Sequence, residues 1–194
     1  MRFAVPLLLL AASTAALAET EARLEPREPF ARAHVQMMVR VQRGSAPALL
    51  ADVDVWAEGT RLRATVAGDA EHAQYWIDGL AAEPLRIVKG SVVPAKSKTL
   101  AHGLELSLRA APDRGNSQND RVAGKPCKIA TEHLKGGYTL RRCFWRGLPL
   151  SVELSGRGFE FNAAATLVED RVTVADLQPP VGAPAAPASL NAAR

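Results

Sequence analysis

Apolar and polar positions alternate along most of this chain. Between His34 and Gln42, Val35, Met37, Val39 and Val41 take every second place among mostly polar neighbours, the period of a strand buried on one face. Met38 alone breaks the rhythm. The same alternation runs through 52–57, Gly59 supplies a reversal, and 61–66 resumes the pattern, so this stretch predicts a hairpin. Further short runs lie at 74–78, 84–88, 103–110, 127–131, 138–145, 150–154, 159–165 and 171–174, each bounded by Gly, Pro, Asn or Asp. Short strands at this spacing predict a mainly β (α+β) chain built on one large antiparallel sheet, either a sandwich or a curled, barrel-like one. Few helices are expected. Residues 19–33 could form a turn or more, weakened by Pro26 and Pro29, and 68–73 another.

The N-terminus departs from this pattern. Arg2, the apolar run from Val5 to Leu10 and the small-x-small sequence Ala16-Leu17-Ala18 read as a secretory signal peptide over 1–18. Its apolar stretch is shorter than the roughly 20 residues that a membrane-spanning helix needs, and no later segment is a better candidate. Glu19, not a lipid-bearing cysteine, follows the expected cut. The expectation is a chain exported to the bacterial periplasm and soluble after cleavage, with a single domain over 19–178. A Pro/Ala-rich tail over 179–194 has little that could form a core.

Charge changes this picture little. A net charge of +4 and a pI near 9.4 permit contact with anionic partners without requiring it, and an exported protein rarely meets nucleic acid. Catalytic signatures are absent: the chain has no Gly-x-Ser-x-Gly elbow, no phosphate-binding glycine loop and no His-Glu-x-x-His. His34, His72, His102 and His133 are scattered singly, which argues against a metal site. The reading is therefore non-enzymatic, with no cofactor.

Both cysteines fall in one basic segment. If Cys127 and Cys143 lie on adjacent antiparallel strands and face each other directly, the turn between them centres on Lys135, beside Gly136 and Gly137. An oxidising compartment then favours one structural disulfide. Around it stand Arg121, Lys125, Lys128, Lys135, Arg141, Arg142 and Arg146, with Glu132 as the only acid in that segment. Of these, Lys128, Arg141, Arg142 and Arg146 are candidates for contact with lipid head groups or an acidic partner, the plainer reading being a solvated hairpin face.

Several aromatic residues sit out of phase with their strands. Trp56 shares a face with Asp52, Asp54 and Glu58, while Trp76 opposes Tyr75 and Ile77, and Trp145 shares the face of Cys143. These rings either pack across strands and under loops, or belong to a lipid-facing or helix-covered surface. The second reading makes Trp56, Trp76, Phe144, Trp145, Phe159 and Phe161 candidates for lipid binding.

The run Val122-Ala123-Gly124-Lys125-Pro126-Cys127, the hairpin after it, and Trp145-Arg146-Gly147-Leu148-Pro149-Leu150 resemble the C-terminal half of periplasmic outer-membrane lipoprotein carrier and sorting proteins (LolA/LolB-like). The closing run from Thr173 to Gly182 is similar too, although Leu177 stands where an aromatic is more usual. The resemblance implies a strongly curved antiparallel sheet forming an incomplete barrel, with few short helices covering the concave face and an apolar cavity that shelters acyl chains. Its implied partners are lipid acyl chains or a lipoprotein. An alternative function is a cell-envelope assembly or regulatory module that binds another protein.

Overall fold

A computed structural model describes residues 27–68, 72–93, 100–109 and 118–181; the expected leader and most of the expected tail lie outside them. The first strand, β1 (Phe30–Arg43), buries Ala33, Val35, Met37, Val39 and Val41 on one face and turns His34, Gln36, Met38 and Arg40 to the other. Each valine so buried contributes about 1.5–3 kcal/mol relative to exposure. β2 (Leu49–Gly59) and β3 (Arg61–Gly68) follow as antiparallel neighbours, with Gly59 at φ 62° in the connecting turn. β4 (His72–Asp78), β5 (Leu85–Val88) and β6 (Ser91–Val93) extend the meander to one edge.

The second half mirrors the first. β7 (Asn119–Val122), β8 (Lys125–Leu134), β9 (Tyr138–Trp145), β10 (Leu148–Gly156) and β11 (Phe159–Glu169) pair in sequence, and β11 then closes against β1. The result is one antiparallel sheet of 11 strands in the order β6-β5-β4-β3-β2-β1-β11-β10-β9-β8-β7. It does not close into a barrel, because the short strands β6 and β7 remain as separate edges. Four of the turns place a non-glycine residue at positive φ before a glycine: Lys89-Gly90, Ala123-Gly124, Arg146-Gly147 and Arg157-Gly158. This left-handed pair matches the twist of the strands that it joins.

Between the two edges the chain has to cross a face of the sheet. It does so through α1 (Leu100–Leu108), whose Leu104, Leu106 and Leu108 join the same buried cluster as the inner residues of β1 to β4 and of β9 to β11. In a flat sheet β4 and β9 would stand roughly 29 Å apart. Yet α1, at about 14 Å long, is near Tyr75 of β4 through Glu105 and is hydrogen-bonded to Arg142 of β9. The sheet is therefore strongly curled around α1, as the incomplete barrel requires.

Four expectations are corrected here. Within the run 103–110, read as a strand from alternating leucines, residues 103–108 are helical and buried without alternation, and Leu100–Leu108 has no β-branched residue to favour a strand. No helix forms over 27–33, where the chain instead enters β1, and the expected turn at 68–73 has strand at its described positions. The expected strand at 171–174 is irregular and runs into a 3-10 turn, Ala175–Leu177, which packs on β2 and β3. That segment buries Val172 and Leu177, and Arg32 Nη2 donates to the Val172 carbonyl at 2.7 Å.

Candidate functional site

The concave face of the sheet and α1 enclose a space with a distinctly apolar wall. Val35, Met37, Val53, Val55, Ala64, Leu148 and Pro149 line it from the strands, and Leu104 and Leu108 line it from the helix. Tyr75 and Ser107 are the polar residues of the wall. Ser107 Oγ donates to the Leu104 carbonyl at 2.6 Å, so its hydroxyl is satisfied within the helix. The Tyr75 hydroxyl is fully buried and has no hydrogen-bond partner among the described residues; burial, with Glu105 nearby, raises its pKa and keeps it neutral.

The cavity measures only about 20 Å³, room for a single water. Small-molecule sites usually offer roughly 300–1,000 Å³. The leucines of α1 pack into the core on this face of the sheet.

Arg142 holds α1 in place. Its side chain is 1% exposed, and Nη1 donates to the carbonyls of Leu106 at 3.2 Å and Arg109 at 2.9 Å, at the C-terminal end of the helix. Nη2 pairs with Glu132 of β8. A cation placed against the last carbonyls of a helix meets the negative end of its dipole. Burial, and the positive charge of Arg109, lower its pKa to about 10, still far above neutrality. Glu105 on the same helix is also buried. Burial, opposed by Arg86 and Arg109 and aided by Glu83, pushes its carboxyl up to about 7.

None of the six aromatic candidates lines the cavity. Phe161 is fully buried in the main core under α1, where its ring lies against Gly103. Phe144 is half-buried beside Arg142, whose Cζ lies 5.0 Å from the ring centroid. Phe159 is half-buried against Tyr138 in an edge-on contact at 6.4 Å. Trp56 stands on the outer face, stacked on His34 at 5.0 Å, and His34 Nε2 lies 2.8 Å from Asp54 Oδ1. Trp76 is buried on that outer face too, in register with Arg63, which in turn is in register with Trp56. Trp145 packs on both the main core and a small second cluster of Cys127, Ile129 and Cys143.

Cys127 and Cys143 form the expected disulfide. The expected register is corrected: Ile129, not Cys127, faces Cys143, because the β8–β9 pairing centres one residue later, on Gly136. The bond is diagonal, with Cα atoms 5.4 Å apart. Among the basic candidates, Arg141 pairs with Glu153 at 3.1 Å and Asp120 at 3.7 Å, while Arg142 is the buried anchor of α1. Lys128 and Arg146 are exposed. Sequence reasoning missed α1 and Glu105; the signal was present in Leu100, Leu104 and Leu108, four apart, but alternating leucines masked it.

No family profile and no curated protein matches the chain. Among solved structures, it is similar to MucB in the MucA/MucB complex of Pseudomonas aeruginosa, at 15% identity and a TM-score of 0.44, over 78% of this chain and 57% of that one. MucB crystallised alone gives 14% identity and a TM-score of 0.43, over 78% and 59% respectively. A LolA superfamily protein from Nitrosomonas europaea gives 12% identity and a TM-score of 0.39, over 80% of this chain and 93% of that one. The chain thus spans little more than half the length of the MucB chains. Likeness at this level carries no functional weight. No helix among the described residues is long and apolar enough to cross a membrane.

Proposed function

We propose that this protein is a non-enzymatic, carrier-like protein of the cell envelope that shelters an acyl chain between α1 and the inner face of its sheet. The observation that supports this reading is the position of α1. It crosses the mouth of an open, curled sheet and covers an apolar wall with its leucines, while carbonyls at its C-terminal end accept from Arg142. The resemblance of the segments around Cys127 and Trp145 to lipoprotein carriers points the same way. Each methylene sheltered from water is worth about 0.8 kcal/mol. A long chain therefore offers on the order of 10 kcal/mol against the cost of displacing α1. The expected leader over 1–18 would deliver the protein to the periplasm.

Native mass spectrometry and organic extraction of the purified protein test this reading. Co-purifying acyl species, and uptake of a fluorescent fatty acid that Val55→Trp abolishes, are the expected results. A protein that carries no lipid and takes up none of the probe would sink it.

A second reading, a protein-interaction module of the envelope, is favoured by one observation. Met38, Leu50 and Leu167 are exposed on the outer face of three adjacent strands, β2, β1 and β11.

A further inference from the structure

The end of the sheet formed by the β7–β8 and β9–β10 turns carries an arrangement that the cavity does not use. Trp145 is half-buried, and two cations bracket its ring: Lys125 Nζ lies 5.2 Å and Arg146 Cζ 5.6 Å from the centroid. Arg121, at the neighbouring turn, donates from Nη2 to the Gly124 carbonyl at 3.3 Å. Among the described residues, none of these three cations forms a salt bridge. Elsewhere on the surface Arg32, Arg61 and Arg141 each have a carboxylate partner. Asp120, beside Arg121 in β7, is engaged with Arg141. Glu28, on the segment docked to the β9–β10 turn, is exposed and makes no salt bridge with these cations.

The turn that presents Arg146 is also held firmly. The Arg146 carbonyl accepts from the Ala31 amide at 2.9 Å. Gly147, at φ 78°, lies so close to the next segment that a Cβ there would stand 2.7 Å from the Pro29 carbonyl. Trp145 in turn rests on the disulfide cluster. The site therefore offers cations that form no salt bridge among the described residues, and an amphipathic ring, on a firmly held turn. A bilayer surface presents the complementary chemistry. Its phosphates attract lysine and arginine, and tryptophan favours the boundary between head groups and acyl chains. An acidic protein would also match the charges and pack on the ring, and the vesicle experiment below separates the two.

We propose that Lys125, Arg146, Arg121 and Trp145 form a docking surface for anionic phospholipid head groups, by which the protein rests on a membrane without spanning it. The proposal does not depend on the cavity.

Flotation with vesicles of phosphatidylcholine alone, and of phosphatidylcholine mixed with phosphatidylglycerol, tests it. Binding to the anionic vesicles only is expected, weakening as salt rises, with a blue shift of tryptophan emission that Trp145→Phe diminishes. The double variant Lys125→Gln, Arg146→Asn should lower anionic-vesicle affinity about thirtyfold; asparagine is chosen because it tolerates positive φ. Arg157→Asn makes the same change at the equivalent turn on the opposite end of the sheet and should leave affinity unaltered. Equal binding to both vesicle types, no binding to either, or equal losses from the double variant and Arg157→Asn would overturn the proposal. Vesicle binding that persists in a protein unable to take up acyl chains would uphold this surface while refuting the carrier reading.

Discussion

Arg142 Nη1 lies 2.9 Å from the backbone carbonyl of Arg109, so a β9 side chain binds the C-terminal end of the helix that covers the concave face. The same nitrogen reaches the Leu106 carbonyl, and Nη2 reaches Glu132, so one guanidinium ties β8, β9 and α1 together. Removing it leaves two helix carbonyls and a partly buried carboxylate without that partner.

Arg142→Met is therefore expected to cost about 3 kcal/mol, measured by chemical denaturation. Amide hydrogen exchange should show α1 opening faster than the sheet. A uniform change across the whole molecule would contradict the role of Arg142 as the helix anchor.

Gly103 makes a second test of how closely α1 is seated. In a helix interior alanine normally stabilises relative to glycine by up to about 1 kcal/mol. Here the added Cβ would meet the Phe161 ring at 2.4 Å, and that ring is fully buried. Overpacking of this kind costs about 1–3 kcal/mol. Gly103→Ala should thus destabilise the protein, against the propensity trend, and thermal unfolding will give the sign.

Glu105 should make stability depend on pH. Its carboxyl is raised from 4.5 to about 7 in the folded chain, chiefly by burial, so the folded state holds a proton that the unfolded state gives up more readily. Stability is then greatest, with respect to this group, below about pH 4.5, and falls as pH rises through 7. The groups that face it are Tyr75, Arg86, Arg109 and Glu83. Denaturation midpoints measured from pH 4.5 to 8 should decline, and Glu105→Gln should flatten that decline.

The disulfide staples the margin of the sheet more than its centre, since Cys127 and Cys143 belong to the smaller cluster. With a sequence separation of 16, its loss is expected to cost about 3 kcal/mol in the chain-entropy model. The double variant Cys127→Ala, Cys143→Ala should accelerate exchange in β7, β8 and β9 first. Protection around Val39 and Val53, fully buried at the centre, should persist longest.

Strand alternation makes most of the sheet legible in the sequence alone. Val35 to Val41 and Val53 to Ala57 are buried as their period demands, and Tyr138–Trp145 is bounded as expected. The helix was not legible in the same way. Leu104, Leu106 and Leu108 satisfy a strand period, and only the need to cross from β6 to β7 places them over the concave face. The register of the disulfide was likewise decided by the turn, since moving its centre from Lys135 to Gly136 makes a facing pair diagonal. The out-of-phase tryptophans do mark a second covered surface. For Trp56 and Trp76 it is the outer face, part of which the segment carrying Val172 and Leu177 crosses.

Local alternation, turn glycines and two cysteines were enough to determine a mainly β chain with its hairpins in sequence, because each is a property of neighbouring residues. The closure of β1 on β11, the curl that brings β4 and β9 to one short helix, and the burial of Arg142 rather than Arg141 were decided only in three dimensions. They depend on contacts between residues far apart in the chain, where competing placements of a leucine or an arginine are resolved by which surface remains to be covered.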